Sequence, residues 1–306
     1  EPFILVLPPW SGLYHWKQPN VRLKWSEFFD VKNLDDFVPV LEFEDYLREY
    51  GTLIDQVVYL QPYKEGWNDD YVLKYDLREC IEGSRFYHRE GHLCSSIFID
   101  RGEAILHQHY GDVHYWQARR SMRYAGHLVE IGNFFRKSQL ESTDEQDRTQ
   151  LAVSFREDVK NRKAIGGNFL CAHWRRKDFL RAHGDELPSI DGTAKQLHEL
   201  CEKARVTRIF LATDASEPEV EQLSAMLRVP VLRFKNSTLP DGAVAIIDQW
   251  ICAHARVFVG SHVSTFSYRI QEDREILGFA PNTTFNRLCP DKLSSCEQPA
   301  KWTIVY

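Results

Sequence analysis

Between residues 169 and 260, short apolar runs alternate with single amphipathic segments, and that alternation leaves few folds open. Phe169–Ala172, Ile209–Ala212, Val229–Phe234 and Val257–Gly260 each read as a strand. The first follows a Gly166-Gly167 break. Thr193–Arg205 is a helix with Leu197, Leu200, Cys201 and Ala204 on one stripe. Ser216 caps a second helix, with Glu219 three residues on and Val220, Leu223 and Leu227 as its buried face. Ala243–Ala255 is a third, almost wholly apolar helix. Apolar strands joined by one helix each pair in parallel through right-handed crossovers. The expectation is an α/β chain with a doubly wound sheet in this half.

The first half is less regular. Ile4–Leu7, Val38–Leu41 and Val57–Leu60 read as strands, and Phe43–Tyr50 as a helix stopped by Gly51. Residues 69–103 are polar and irregular. A long helix is expected from about His114 to Phe135, with Met122, Leu128, Ile131 and Phe135 on its buried side. The most polar stretch, Glu141 to Arg148, is the linker candidate. It divides the chain into 1–148 and 149–306, lengths suited to two α/β domains. Phe3–Leu7 runs into Pro8-Pro9 as a strand and not as a secretion signal, so a segment is expected to have been lost upstream. The net charge of −6, with acids and bases interleaved, argues against a general nucleic-acid surface. No apolar run is long enough to span a bilayer.

In an open parallel sheet, ligands bind outside the carboxyl ends of the strands. His173, Arg175 and Arg176 follow the first strand of this half, Thr213 and Asp214 the second, and Ser261 through Ser267 the last. Unpaired N–H groups and hydroxyls at a helix start near Ser264 and Thr265 favour a phosphate. A guanidinium can pair bidentately with phosphate oxygens. Together these suggest a nucleotide or sugar-nucleotide site. Arg175 is expected to point inward, on the same side as His173, with Arg176 and Lys177 in a solvated turn. His173 fits a place beside a nucleotide or a merely satisfied core histidine. Asp248 lies in an apolar helix, where a carboxylate needs donors. Either a guanine edge or an internal pair with His254 or Arg256 would supply them.

His107 and His109 lack further ligands at suitable spacing, and no Asp-x-Asp, dinucleotide fingerprint, phosphate loop or Gly-x-Ser-x-Gly occurs. Of the cysteines, Cys171, Cys201 and Cys252 are expected as buried thiols. Cys80 with Cys94 and Cys289 with Cys296 flank polar loops that a disulfide could close, which would indicate an oxidising compartment. Sequons at Asn236 and Asn282 point the same way.

The segments His173-Trp-Arg-Arg-Lys-Asp-Phe179, Asp248 to Arg256 and Ser264-Thr-Phe-Ser267 resemble the protein O-fucosyltransferases. Val6 to Trp10, Trp25 to Phe29, His109-Tyr-Gly111 and Cys296-Glu-Gln-Pro299 extend the likeness to nearly the whole chain, in particular to the branch acting on thrombospondin type 1 repeats. The resemblance implies a GT-B fold of two Rossmann-like domains, the N-terminal one on the acceptor side and the C-terminal one binding GDP-fucose. It implies inverting transfer to a Ser or Thr hydroxyl of a folded repeat, in the endoplasmic reticulum lumen, by a protein without a membrane span. By position, Arg175 would bind the β-phosphate and stabilise departing GDP, and His173 would lie beside the nucleotide. Asp248 would read guanine, and Ser264, Thr265 and Phe266 would hold the diphosphate. No metal or other cofactor is then needed, since an arginine stabilises the leaving group. Cys80–Cys94 and Cys289–Cys296 would be disulfides. The family's catalytic glutamate, in a Glu-Gly-Phe-Asn loop, is expected upstream of residue 1. The rival readings are a non-catalytic GT-B-like protein that binds folded repeats, and an O-fucosyltransferase for EGF-like repeats.

Overall fold

The computed structural model describes residues 3–11, 16, 21–52, 54–63, 72–75, 81–82, 85–86, 96–100, 110–158, 162–293 and 295–306. Cys80, Cys94, His107 and His109 therefore lie outside the described residues.

The first half holds short pieces. They begin with β1 (Leu5–Leu7), β2 (Trp10–Ser11), β3 (Arg22–Leu23) and β4 (Val40–Glu42), with helices α1 (Val31–Asp35) and α2 (Phe43–Tyr50). β1 and β4 pair in parallel. Glu42, at the end of β4, accepts from the N–H groups of Trp25 and Ser26 and so holds a 3₁₀ turn that no local side chain caps. Next come β5 (Gln56–Tyr63), β6 (Val72–Tyr75), β7 (Ile81–Glu82), β8 (Arg85–Phe86) and β9 (Ile97–Asp100); β5 pairs with β6 antiparallel and with β9 in parallel.

The expected helix 114–135 is two helices, α3 (Val113–Ser121) and α4 (Gly126–Gln139). Between them the backbone of Tyr124 forms an antiparallel bridge with Phe29, which extends the chain where helical periodicity alone would have continued it. Both helices then pack towards the second half of the chain. Tyr124, Ala125, Leu128 and Leu140 share a buried cluster with Phe169, Ile247 and Phe258.

The polar stretch 141–148 is packed, not solvated. It contains α5 (Asp144–Asp147), and Ser142, Asp147 and Thr149 are buried. The buried Arg136 explains this, because its guanidinium donates to Asn133, Ser142, Asp144 and Asp147. Buried charges persist when they are paired and hydrogen-bonded in this way.

Beyond it lies a five-stranded sheet. Its strands are β10 (Gly167–Trp174), β11 (Ile209–Thr213), β12 (Val231–Leu232), β13 (Ala255–Val259) and β14 (Thr284–Phe285). Their order is β12-β11-β10-β13-β14, with every pairing parallel. The helices are α6 (Lys177–Ala182), α7 (Ile190–Ala204), α8 (Glu217–Met226), α9 (Asp241–Ala253) and α10 (Thr265–Leu277). Alternate residues on the strands serve opposite faces. Phe169, Cys171, Phe210, Ala212 and Phe258 face α4, α9 and α10; Leu170, Ala172, Leu211, Val257 and Val259 face α7 and α8. Helices thus cover both faces, as the sequence alternation requires. The order of connection reverses between β10 and β13. That reversal opens a crevice at their carboxyl ends, the standard ligand position in such sheets.

Cys171 and Cys252 do not remain thiols. β10 and α9 bring their Cα atoms to 5.1 Å and the sulfurs are bonded. Packing across the sheet, invisible in sequence spacing, decides this pair. Cys289 and Cys296 are also joined, while Cys201 is a buried thiol whose ionisation is pushed up to about 11 by burial. Among the described residues, no helix is long and apolar enough to cross a membrane.

Candidate functional site

The crevice is built by a small set of backbone-to-hydroxyl links. Register pairs Ala172 with Val259, so the chain beyond each strand meets the other at once. The Ser261 hydroxyl donates to the His173 carbonyl at 2.7 Å and accepts from the Arg175 N–H at 3.0 Å. Its own N–H donates to the Ser267 hydroxyl at 2.9 Å. Gly260 permits this closeness, because a Cβ there would sit 2.7 Å from the Asn286 carbonyl and 2.9 Å from Ser267 Oγ. The turn that follows passes through Val263 at a φ of 42°, a left-handed conformation costly for a β-branched residue.

His173 lies beneath this turn. Its Nδ1 is 2.8 Å from Ser267 Oγ, and its ring stacks on Phe266 with centroids 4.3 Å apart. Burial, with the nearby Arg175 charge added, pushes its pKa down to about 3, so the ring is neutral at physiological pH.

Ser264 is the N-cap residue of α10, but its side chain makes no capping hydrogen bond. Ser264 is buried, Thr265 is exposed and Phe266 is half-buried. The first N–H groups of a helix have no partner one turn back, and the helix dipole adds partial positive charge there. An anion fits this place.

Opposite it, Arg175 is charged but already engaged. Its guanidinium binds Asp178 in a fork, at 2.8 and 3.0 Å from Nη2, and reaches Asp214 at 3.1 Å. Arg176, expected in a solvated turn, is instead buried under the sheet. It pairs with Glu219 at 3.0 Å and lies over the Trp174 ring, while its N–H donates to Asp214. Arg176 thus turns towards α8, while the Arg175 guanidinium lies between Asp178 and Asp214.

Asp248 comes from α9. Its Oδ1 is buried and has no hydrogen-bond partner among the described residues. Burial raises its pKa well above the usual carboxylate range, against a smaller lowering by Arg233. Neither internal partner weighed for it is used. His254 bonds the Trp250 carbonyl, and Arg256 bonds Asn168. The next residue, Gln249, contacts the Phe266 carbonyl at 3.5 Å. The crevice thus gathers His173, Ser264, Thr265 and Phe266 with the Arg175 N–H, while Asp248 lies on α9. Sequence reasoning missed the anchoring roles of Ser261 and Ser267. A Gly-Ser pair just beyond an apolar strand is the signal that could have found them.

The model of the family described as GDP-fucose protein O-fucosyltransferase matches residues 3–277. This chain belongs to that family. It is 47% identical over 350 residues to GDP-fucose protein O-fucosyltransferase 2 of Caenorhabditis elegans, covering 100% of this chain and 82% of that protein. The human protein of the same name is 41% identical over 359 residues, again with 100% and 82% covered. A crystal structure of POFUT1 in complex with GDP superposes with a TM-score of 0.55 at 13% identity, covering 94% of this chain and 88% of that one. The likeness confirms an α/β fold of the GT-B type, the expectation drawn from sequence.

Proposed function

We propose that this chain moves fucose from GDP-fucose to a Ser or Thr hydroxyl of folded thrombospondin type 1 repeats, with inversion at the sugar carbon. The observation that carries this is the uncapped start of α10 at the switch point of the sheet, where the Arg175 N–H is tied to Ser261. Ser264, Thr265 and Phe266 would hold the diphosphate with hydroxyls and N–H groups. Arg175 would exchange its carboxylate partners for the β-phosphate and stabilise the charge that develops as GDP leaves. His173 would lie beside the nucleotide as a neutral ring. The unpartnered Oδ1 of Asp248 would accept from the adjacent N–H donors of guanine. Asp178 and Asp214 both hold Arg175, so neither is assigned as the base that takes the acceptor proton. GDP-fucose would bind to residues 149–306 together with the helices packed on their sheet, and the acceptor would arrive from the N-terminal side. No metal enters this scheme. Transfer would take place in the endoplasmic reticulum lumen, where the exposed Asn236 and Asn282 would be open to glycan addition.

The test is incubation of the full-length protein with labelled GDP-fucose and two folded acceptors, thrombospondin type 1 and EGF-like repeats, each also reduced and alkylated. Label on folded thrombospondin repeats alone is expected. Label on the EGF-like module instead would reassign the acceptor, and retention of repeats without label would make the protein a binder.

A further inference from the structure

The two sequons differ in what the fold does with their third residue. Both asparagines are exposed, Asn236 on the loop after β12 and Asn282 in the 3₁₀ turn Pro281–Thr283 that leads into β14. A sequon is defined by the hydroxyl two residues beyond the asparagine, so the transferring enzyme must reach that hydroxyl as well as the amide. In the first sequon the fold permits this. Thr238 is exposed, and its hydroxyl donates to Asn236 Oδ1 at 2.7 Å, so both groups stand together on one surface loop.

In the second sequon the fold prevents it. Thr284 opens β14, beside Phe258 of β13, and is only 5% exposed. Its hydroxyl accepts from Nε of the buried Arg274 at 2.8 Å. The same guanidinium donates to the Thr283 hydroxyl at 2.9 Å and to the Thr283 carbonyl at 3.1 Å. The chain then turns back through the Cys289–Cys296 disulfide and closes along the strand. The Gln298 side chain accepts from the Asn286 N–H at 2.6 Å, and the Ala300 N–H donates to the Thr284 carbonyl at 2.8 Å. A buried hydroxyl held by a charged donor is released only by opening this edge of the sheet.

We infer that Asn236 accepts an oligosaccharide at any stage of folding, and Asn282 only before the Cys289–Cys296 loop closes along β14. In either case the amide nitrogen bonds to the anomeric carbon of an oligosaccharide carried on a lipid diphosphate. The bond from that carbon to the diphosphate breaks, and the amide gives up one proton. That such a donor is met in the cell rests on the compartment proposed above; the difference between the sites rests on Thr238, Thr284 and Arg274. A glycan on Asn282 thus records an interval of folding, and the exposed asparagine lets the finished fold carry it.

The test uses full-length protein made without glycans in a bacterial periplasm, with near-UV circular dichroism as the check of folding. It is incubated with solubilised microsomal membranes and a lipid-diphosphate oligosaccharide, and each site is followed by mass spectrometry. On the folded wild type, Asn236 should be modified at least about tenfold faster than Asn282, the scale of breaking one hydrogen bond to a charged group. After reduction, alkylation and unfolding, both should be modified at similar rates. Joint Cys289→Ser and Cys296→Ser substitution should raise the Asn282 rate several-fold in folded protein and leave Asn236 unchanged. Equal rates at the two sites of the folded wild type overturn the inference, as does a folded wild type modified at neither. A folded double variant that behaves as wild type removes the loop as the gate and overturns it too. Neither GDP nor fucose enters this assay, so its failure would leave the proposed function standing.

Discussion

The two chain segments that meet in the crevice are in opposite states. Beyond β10, the Arg175 guanidinium is neutralised by Asp178 and Asp214. Beyond β13, the start of α10 is left uncapped by Ser264. One end is a cation with partners in place, the other a field of backbone donors with none. The difference implies a division of labour. On the proposed reading, the helix start would contribute resting affinity for a diphosphate, because no side-chain cap must be displaced there. Arg175 must give up carboxylates to reach an anion, so it should contribute most when leaving-group charge is greatest.

Arg175→Ala is the strongest way to break this comparison. Turnover should fall by about a hundredfold or more, the loss typical of one such donor, while GDP affinity changes only several-fold. Single-turnover kinetics with calorimetry decides, and an equal loss in both would refute the division.

His173 links the two ends, and its burial gives the next effect. Its folded pKa is about 3, below the roughly 6.5 of the unfolded chain. As pH falls below 6.5 the unfolded chain binds a proton that the folded one refuses, so stability drops by about 1.4 kcal/mol per pH unit. In urea unfolding, the stability advantage of wild type over His173→Asn should shrink by about 2 kcal/mol between pH 6.5 and pH 5. A constant gap would mean that the ring is not shielded as described.

Asp248→Asn sharpens the picture at the base. It replaces an acceptor oxygen with an amide, so GDP should bind roughly tenfold more weakly, with inosine diphosphate, which lacks the exocyclic donor, losing less. Equal losses would take Asp248 away from the guanine edge.

The smallest effect is the most direct on the comparison. Asp178→Ala removes one competitor for Arg175 and should tighten GDP binding by up to about fivefold, the scale of a partly exposed ion pair. Weaker binding would mean that Asp178 orients the arginine and does not restrain it.

What the sequence disclosed follows the same line. β10, β11 and β13 were readable because they are apolar on both faces, and the crevice residues followed from where those strands end. β14 has only two residues and gives no period to read. The break between α3 and α4 is set by a bridge to Phe29, distant in sequence. Arg176 looked solvated because its partner Glu219 lies on another helix. The polar run 141–148 looked like a tether because the one buried arginine that organises it lies upstream. For the helix break and for Arg176 the deciding contact is long-range, and composition within a window cannot carry it.

The Cys171–Cys252 bond has a further consequence. Cys171 stands two residues before His173 and four before Arg175, and Cys252 one helical turn beyond Asp248. The parts assigned to the base and to the phosphate are therefore spaced by a covalent strut through the core. Such a strut works as a fixed gauge for the ligand. On the proposed assignment, the strut would hold the span between guanine and phosphate constant while a protein acceptor arrives, and would disfavour a nucleotide of different reach.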